Sequence, residues 1–318
     1  MAKYLVTGGA GFIGSHLVHR LVAEGNEVIA LDNLTAGKIE NIKAVASRVT
    51  FVKGDIRQID LLQKLMGGVE VVLHTAALRS VPLSVDNPSA VNDVNIGGTL
   101  NILLAARDNG VRRVVMSSSS SVYGQIEAEK QVETLPTHPE SPYALTKLAG
   151  EQYCRLFGEL YGLDAICLRY FNVFGHWQDP NSKYSAVIPI FVSALLRGQM
   201  PTIHWDGQQS RDFTFVDNVV DANLCAAQAP IKSQGNAYNI ANGGTTSINE
   251  LLAQIQELLG TNIVPRYMPK RAGDIGRTRA DIERARRELN WEPKVSFNEG
   301  LARSLEWYKE NAVEPVAV

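Results

Sequence analysis

The chain has 318 residues, enough to bury a large core and to divide into two lobes. Its 31 basic and 33 acidic residues leave a formal charge of −2, which gives no reason to expect nucleic acid or an anionic membrane as a partner and favours a small ligand. The three cysteines are widely spaced, no apolar run approaches the ~18 residues of a membrane span, and no basic-then-apolar leader precedes the first strand pattern, so we expect a soluble cytoplasmic protein without disulfides or a metal site.

The start of the chain alternates between strand and helix patterns. The apolar run KYLVTGG ends in glycines, FIGSHLVHRLVAEG has apolar residues at helical spacing, and EVIALDN is a second apolar run. The order strand, glycine turn, helix, strand is the context in which a glycine motif binds a dinucleotide.

The glycine motif has the GxxGxxG spacing, with Gly8, Gly11 and Gly14. Such glycines allow a tight turn, let the backbone approach a pyrophosphate and bring the helix against the strand. Asp32 lies 18 residues past Gly14, where a carboxylate accepts hydrogen bonds from an adenosine ribose and repels a 2′-phosphate. The motif therefore predicts NAD in preference to NADP, a preference that the nearby Lys38 keeps from being certain.

The next two strand patterns end in candidate cofactor contacts. At the end of VTFVKGD, Asp55 and Ile56 are placed to flank an adenine, although an acidic loop residue without a ligand is an equally good interpretation. After VEVVLHTAA, the small Ala76 and Ala77 would let a cofactor lie close to the strand end. Arg79, just beyond, is a candidate phosphate contact.

The middle of the chain continues the alternation. A helical pattern from Pro88 to Gly110 contains Asn95, a polar residue that would support either the backbone or the cofactor. The strand RRVVMSSSS, a helix beginning at Pro142 and the strand DAICLRYFNVFG follow. Five or six such units predict an α/β fold with a doubly wound parallel sheet.

The composition changes after Gly175. Shorter helices and strands follow, and we expect them to form a smaller α/β lobe over the carboxyl ends of the sheet. We assign residues 1–174 to a nucleotide-binding domain, with 213–242 returning to it, and residues 175–212 and 243–318 to the lobe.

A candidate catalytic pair lies where the helix at Pro142 begins. Ser141 is a favourable N-cap and Pro142 a favourable first residue, so Tyr143 and Lys147 would share one helix face. A neighbouring cation favours the phenolate and makes tyrosine a more usable general base. The serine run Ser117–Ser121, at a strand end, would supply a hydroxyl that holds a substrate oxygen.

The histidines are scattered along the chain. His16 and His19 are expected on the surface of the first helix, not as metal ligands. Two His-Trp pairs, at 176–177 and 204–205, would either reshape a pocket or simply pack. No metal site is predicted.

Five motifs in register resemble the extended short-chain dehydrogenase/reductases, and in particular the UDP-hexose 4-epimerases: TGGAGFIGSH, SSSSSVYG, SPYALTK, RYFNVFG and RDFTFVDNV. The likeness covers essentially the whole chain, and five motifs in order are far more specific than any one of them. It implies a Rossmann-type NAD domain, a UDP-sugar substrate, and a homodimer formed through the two long helices that begin near Pro88 and Pro142.

The resemblance also implies roles for individual residues. Tyr143 would remove the proton from the sugar 4-hydroxyl, Lys147 would bind the nicotinamide ribose and lower the tyrosine pKa, and Ser119 would be the active serine. Neighbours in the serine run are close enough to exchange that last role. Further NAD contacts, beside those above, would be Phe12, Ile13, Asn33 and Tyr170.

The same likeness indicates which reaction follows oxidation at C4. Related 4,6-dehydratases and UDP-glucuronate decarboxylases carry acidic residues just before the VYG tyrosine, whereas this chain has Ser120 and Ser121 there. An epimerase is therefore favoured, which oxidises C4 to a ketone and returns the hydride to the other face, with no net redox change.

The substrate contacts implied by the resemblance lie mostly in the smaller lobe. Arg211 and Arg271 would grip the UDP diphosphate, for which a planar fork of donors is suited. The other predicted contacts are Ser119, Ser121, Asn172, Ala186, Val187, Asp274 and Thr278.

Thr278 stands where the family has a gate residue beside C2 of the sugar. In the family, a bulky tyrosine at this position excludes N-acetylated sugars and a small residue admits them. Thr278, with the small Ala186, therefore predicts that UDP-GlcNAc and UDP-GalNAc are accepted, along with UDP-Glc and UDP-Gal. Three alternatives stay open: a UDP-uronate 4-epimerase in which Arg79 binds the C6 carboxylate, a reductase that releases its product, and a non-catalytic NAD-binding regulator.

Overall fold

The structure is a computed structural model and describes residues 1–126, 128–179, 186–230, 232–270 and 276–311. The strands are β1 (Lys3–Thr7), β2 (Glu27–Asp32), β3 (Val49–Lys53), β4 (Val71–His74), β5 (Arg113–Ser119), β6 (Ala165–Tyr170), β7 (Val173–Phe174), β8 (Thr202–His204), β9 (Ser210–Arg211), β10 (Thr214–Phe215), β11 (Gln234–Ile240), β12 (Thr246–Ser247) and β13 (Arg266–Met268). The helices are α1 (Phe12–Ala23), α2 (Ile59–Leu65), α3 (Val81–Asp86), α4 (Pro88–Asn92), α5 (Gly98–Asp108), α6 (Pro142–Tyr161), α7 (Val187–Leu196), α8 (Val216–Gln228), α9 (Ile248–Leu259), α10 (Glu283–Leu289) and α11 (Phe297–Asn311).

Seven of the strands form one parallel sheet in the order β11-β6-β5-β4-β1-β2-β3. The central strand β1 pairs with β2 on one side and β4 on the other, so that Val6 lies opposite both Ala30 and Leu73. The direction of winding reverses between β1 and β4, and ligands of such sheets bind outside the carboxyl ends of the strands at that point. The predicted doubly wound α/β sheet is confirmed.

Helices cover both faces of the sheet because successive strand residues point to opposite sides. Val6 packs in the core beneath α1 and α8, whereas Leu5 packs on the other face beneath α2, α5 and α6. Both side chains are fully buried. Burying an aliphatic side chain of this size stabilises the fold by about 1.5–3 kcal/mol.

The predicted helix from Pro88 to Gly110 is not a continuous α-helix. A π-helical turn, Asp93–Gly97, separates α4 from α5. Such turns widen the backbone locally and occur often at functional sites. The turn contains Asn95, whose side chain is buried.

The chain after β6 builds a separate apolar core from α7, α9 and α11, in which Phe174, Phe215 and Tyr308 are buried. The segment from Ala280 to Trp291 packs instead into the core beneath α1 and α8, and β11 extends the central sheet. The assignment of domain boundaries stays a prediction. Within the described ranges, no helix combines the length and the apolar character needed to cross a membrane.

Candidate active site

The glycine motif closes the turn between β1 and α1 as its spacing predicts. Gly8 has φ +68°, a left-handed conformation that favours glycine. A Cβ on Gly14 would lie 2.0 Å from the Gly8 carbonyl oxygen, so no side chain fits where the helix crosses the strand end. The turn therefore leaves its backbone exposed to a ligand at the N-terminus of α1.

A cavity of about 260 Å³ lies at this turn and the neighbouring strand ends. Its lining residues include most of the predicted cofactor contacts: Gly8, Gly11, Phe12, Ile13, Gly14, Asp32, Asn33, Asp55, Ile56, Ala76, Ala77 and Arg79. The residues meet because the carboxyl ends of β1 to β4 lie at one edge of the sheet. Their individual contacts with a cofactor stay predictions.

Asp32 is buried at the end of β2, and its carboxylate accepts hydrogen bonds from the backbone N–H groups of Ala10 at 3.0 Å and Leu34 at 2.7 Å. These bonds fix the carboxylate at the cavity wall, where it can accept from a ribose. Lys38, which left NADP open, forms an ion pair with Asp179 at 3.1 Å. The local charges therefore fit NAD.

Asp55 lines the same cavity but already has a cationic partner. Arg57 donates to its carboxylate at 2.9 Å, and Asn33 donates at 2.9 Å. These bonds, with that of Arg57 the largest effect, lower the pKa of Asp55 well below its ordinary value. The sequence analysis did not predict the pairing of Arg57 with Asp55, although a cation two residues after a loop carboxylate can reach back to it.

Asn95 supports the backbone on the opposite wall. Its side chain accepts a hydrogen bond from the Leu78 N–H at 2.8 Å and donates to the Leu78 carbonyl at 3.0 Å, and it also donates to Thr146 at 3.0 Å. Leu78 lines the cavity. Of the two roles weighed for Asn95, the structure shows the one toward the backbone.

The predicted catalytic pair stands at the start of α6. Ser141 caps the helix by accepting from the Ala144 N–H at 3.1 Å, as expected. Lys147 is buried, its ammonium donates to the Ser117 carbonyl at 2.8 Å, and burial lowers its pKa to about 8. The ammonium lies 5.9 Å from the centroid of the Tyr143 ring.

Burial raises the pKa of Tyr143 above its ordinary value, and the neighbouring Ser119 side chain and the charge of Arg79 only partly oppose this. The Lys147 ammonium donates to the Ser117 carbonyl. Its expected lowering of the Tyr143 pKa stays a prediction.

The structure distinguishes the serines of the run. The Ser118 hydroxyl is buried and donates to Glu151. Ser119 is partly exposed, lies close enough to Tyr143 to affect its pKa, and accepts from the Ser121 hydroxyl at 2.9 Å. Ser119, with Ser121 bonded to it, is therefore the serine of the run that the structure places beside the candidate base.

Tyr170 was predicted to contact the cofactor. Its hydroxyl is buried, accepts from Ser117 at 3.0 Å and pairs with the Asn223 side chain at 2.8 Å. Burial raises the pKa of Tyr170 to about 12. The phenol is engaged within the protein, and its contact with the cofactor stays a prediction.

A second cavity, of about 380 Å³, lies within the smaller lobe and is mostly apolar. Four predicted substrate residues line it: Asn172, Ala186, Val187 and Arg211. Phe213 and His204 line it too and were not among the predicted substrate contacts, although the RDF motif contains the first. Trp205 instead packs under Lys270, with the ammonium 4.0 Å from its ring centroid.

Thr278 is buried and is not among the residues that line this cavity. Its hydroxyl oxygen accepts from the Asn172 side-chain amide at 3.3 Å and from the Asp212 N–H at 3.4 Å. Asn172 has φ +33°, a positive value that asparagine adopts more readily than most residues other than glycine. Arg271 and Asp274, the other predicted contacts of this segment, lie outside the described residues.

The expectation that His16 lies on the helix surface is wrong. His16 is 7% exposed, its Nδ1 hydrogen-bonds with the Phe12 carbonyl at 2.8 Å, and its ring packs against Trp177 with centroids 4.3 Å apart. Burial lowers the pKa of His16 to about 3. The His-Trp pair at 176–177 therefore packs against α1.

His16 also forms, with His176 and Asp217, a group whose possible ligand atoms lie within 4.8 Å of one another. Asp217 already contacts Arg303 at 3.4 Å. Among the described residues, these three side chains have a spacing that is compatible with a metal ion. The expectation of no metal site stays a prediction.

Comparison with known proteins agrees with this geometry. Residues 4–241 match the model of the NAD-dependent epimerase/dehydratase family. The chain is 42% identical over 314 residues to the UDP-glucose 4-epimerase of Mycolicibacterium smegmatis, covering 98% of this chain and 99% of that protein.

Two solved structures are similar over nearly the whole chain. A UDP-N-acetylglucosamine 4-epimerase from Methanobrevibacter ruminantium M1, in complex with UDP-N-acetylmuramic acid, has a TM-score of 0.93 and 40% identity and covers 97% of this chain and 98% of its own. A UDP-glucose 4-epimerase from Thermotoga maritima with UDP-glucose has a TM-score of 0.93 and 37% identity and covers 98% and 99%.

Proposed function

The chain belongs to the NAD-dependent epimerase/dehydratase family, and we propose that it is a 4-epimerase of UDP-hexoses that accepts UDP-GlcNAc and UDP-GalNAc as well as UDP-Glc and UDP-Gal. The observation that carries this proposal is the placement of Ser119 beside Tyr143 at the sheet edge that also holds the glycine turn. A base, a hydroxyl donor and a dinucleotide cavity lie together at that edge.

The chain's own residues supply proton transfer and positioning. Tyr143 takes the proton of the sugar 4-hydroxyl and later returns it, and Ser119 donates to the oxygen of the resulting ketone. Lys147 donates to the Ser117 carbonyl at 2.8 Å and so joins α6 to the carboxyl end of β5. NAD, when bound, accepts a hydride from C4 and gives it back.

Inversion requires that the 4-keto sugar rotate and present its opposite face before the hydride is returned to C4. The sugar would be held through its diphosphate by Arg211 and Asn172, so that the hexose ring itself is free to rotate about the link. Arg271 and Asp274, which are outside the described residues, would complete this grip. The larger apolar cavity, with Val187 and Phe213 at its wall, suits a uracil ring.

The residues that precede Tyr123 favour return of the hydride over elimination. Ser121 donates to Ser119, and Ser120 is also a neutral hydroxyl, so neither can remove a proton from C5 as a carboxylate would. The 4-keto sugar therefore goes back to an alcohol.

The proposed acceptance of N-acetylated sugars depends on the size of residue 278, the position of the gate residue in the family. Thr278 is small, and its hydroxyl is turned to Asn172 and the Asp212 N–H. Space beside C2 is then available for an acetamido group. The structural relative from M. ruminantium binds UDP-N-acetylmuramic acid, which also carries such a group.

We propose a homodimer through the face of α3 to α6. Leu145, Leu156 and Leu160 lie on α6 at helical spacing and are 55%, 37% and 67% exposed, and Val85 on α3 is 63% exposed. A large apolar face of this kind is typical of a subunit interface. Leu160→Glu should convert a dimer to a monomer in light scattering, whereas Leu258→Glu on α9 should not. A monomeric wild type would contradict the proposal.

The direct test of function is turnover of UDP-GlcNAc, UDP-Glc and UDP-GlcA by the purified protein, followed by proton NMR without added reductant. The proposal predicts C4 inversion of the first two sugars without net NADH. Inversion of UDP-GlcA alone would support the uronate alternative, product formed only with stoichiometric NADH would indicate a reductase, and NAD binding with no turnover of any sugar would indicate a regulator.

A further inference from the structure

Asp212 lies in the sequence between two residues that line the second cavity, but its own side chain does not line that cavity. Arg211 and Phe213 line the cavity, whereas the Asp212 side chain points into the protein and is fully buried. Its carboxylate accepts three backbone hydrogen bonds, from Asn242 at 3.0 Å and from Gly243 and Ala280 at 3.1 Å. One side chain therefore joins β9, the turn after β11 and the segment after Thr278.

The backbone of Asp212 holds the neighbouring substrate residues. Its N–H donates to the Thr278 hydroxyl at 3.4 Å, and its carbonyl accepts from the Asn172 side chain at 3.1 Å. Asn172 and Thr278 are also bonded to each other at 3.3 Å. Three residues proposed to contact the substrate, Arg211, Asn172 and Thr278, are thus attached to one position.

A carboxylate is the group that this position requires. Both of its oxygens accept, one from Asn242 and the other from Gly243 and Ala280. An amide offers a single oxygen, so its NH₂ group would face at least one N–H donor, and a buried donor would lose its partner. The change Asp212→Asn keeps the shape and removes that acceptor.

On the basis of the proposed function, we propose that Asp212 is a positioning residue for the UDP-sugar: it fixes Arg211, Asn172 and Thr278 in the arrangement that binds the nucleotide diphosphate and the sugar. It touches neither Tyr143 nor the glycine turn in the contacts of the described residues. Loss of its bonds lowers the fraction of molecules that are ready to bind, and the apparent affinity falls by that fraction.

The charge state of Asp212 gives a readout that a structural role alone would not. Burial raises the pKa of Asp212 to about 7, against the three backbone bonds and the charge of Arg279, which lower it. The other charged residues in the chain segments that bond to Asp212 are Arg211, Arg277 and Asp281. Protonation removes an acceptor, so substrate affinity should fall as the pH decreases through about 7.

The experiment compares steady-state kinetics of the holoenzyme, wild type and Asp212→Asn, with UDP-GlcNAc and UDP-Glc between pH 6 and 8.5. We expect KM at pH 8 to rise about tenfold in the variant, as for the loss of one hydrogen bond to a charged group, with kcat within about twofold. In the wild type, KM should rise about fivefold from pH 8 to pH 6, because neutral Asp212 would bind substrate about as weakly as the variant, and that rise should be absent in the variant.

A matched variant separates positioning from general destabilisation. Asp164 is a half-buried carboxylate, accepts from Arg113 and from the Ser233 N–H at 2.9 Å, and precedes the amino-terminal end of β6, away from the cavity. Asp164→Asn should lower the melting temperature without changing KM. Unchanged KM in Asp212→Asn, or an equal rise in Asp164→Asn, would overturn the inference.

Different results would refute the proposed epimerase function and the positioning role of Asp212. If the wild type inverts no UDP-hexose, the proposed function fails, and Asp212 is then judged by the calorimetric affinity for UDP at pH 8. Weaker UDP binding by Asp212→Asn than by the wild type and by Asp164→Asn would support the positioning role. Equal UDP affinities in all three proteins would refute it.

Discussion

The Lys147 ammonium lies 5.9 Å from the centroid of the Tyr143 ring and donates instead to the Ser117 carbonyl. The pair therefore shares a helix face without forming a direct contact between cation and phenol oxygen. Burial raises the pKa of the phenol in the free chain, and the neighbouring Ser119 side chain lowers it in part. We therefore expect the phenol of Tyr143 to be the group that transfers the proton, and substitution of this residue tests that expectation.

Tyr143→Phe removes the proposed base and leaves the ring in place. We expect kcat to fall by about 10²–10⁴-fold, because that is the usual contribution of a positioned acid or base. NAD binding should change little. Tyr161→Phe, at the exposed end of the same helix, is the matched control and should keep wild-type kcat. A Tyr143→Phe enzyme with full activity would refute the assignment.

Gly14→Ala should damage the cofactor site specifically. The added Cβ would lie 2.0 Å from the Gly8 carbonyl oxygen, and the backbone of the turn must move to relieve the clash. We expect the dissociation constant of NAD to rise by at least about tenfold in calorimetry. Gly67→Ala, where the nearest atom is 3.7 Å away, should bind NAD as the wild type does. Similar NAD affinity in both variants would show that the turn does not carry the cofactor.

Thr278→Tyr tests the substrate gate. A bulky side chain behind Asn172 should fill the space for an acetamido group, and kcat/KM for UDP-GlcNAc should fall about 10²-fold more than kcat/KM for UDP-Glc. Thr278→Ser retains the hydroxyl that accepts from Asn172 and should keep both substrates. Equal losses for the two sugars in Thr278→Tyr would contradict the gate argument.

His74 should make stability depend on pH. Its ring hydrogen-bonds with Thr7 at 2.8 Å and Thr99 at 3.0 Å, and burial, followed by the charge of Lys147, lowers its pKa to about 3. Below pH ~6.5 the unfolded chain binds a proton that the folded chain does not, so the free energy of unfolding decreases as the pH falls. The loss attributable to His74 between pH 6.5 and 5 is about 2 kcal/mol.

Denaturant unfolding at several pH values measures this effect. His74→Gln should have a smaller decrease in the free energy of unfolding between pH 6.5 and 5 than the wild type, whatever its absolute stability. His138→Gln, on an exposed loop, should retain the wild-type decrease. If the two variants have the same pH dependence, His74 is not a buried neutral histidine.

The sequence predicted most features that depend on local pattern. The glycine spacing, the helix cap at Ser141 and the strand runs each depend on a few consecutive residues, and parallel strand order then brings their ends together. This is why twelve of the predicted cofactor contacts line one cavity.

The features that were not predicted depend on residues far apart in the chain. The bonds of Asp212 join positions separated by 30 to 68 residues, and nothing near Asp212 signals them. His16 has the same helical spacing as a surface residue, and the rings of His176 and Trp177, far along the chain, pack over it. The pKa of Tyr143 likewise follows mainly from burial, which the YxxxK spacing does not fix.

The central claim is that the hydride removed from C4 returns to the same carbon within one molecule of enzyme. It is tested most directly with UDP-glucose carrying deuterium at C4, epimerised in ordinary water and examined by NMR and mass spectrometry. We expect the deuterium to be retained at C4 of the UDP-galactose formed, without exchange with solvent. Loss of the label to water would contradict the account, because it would mean that C4 is inverted by proton removal and not by hydride transfer.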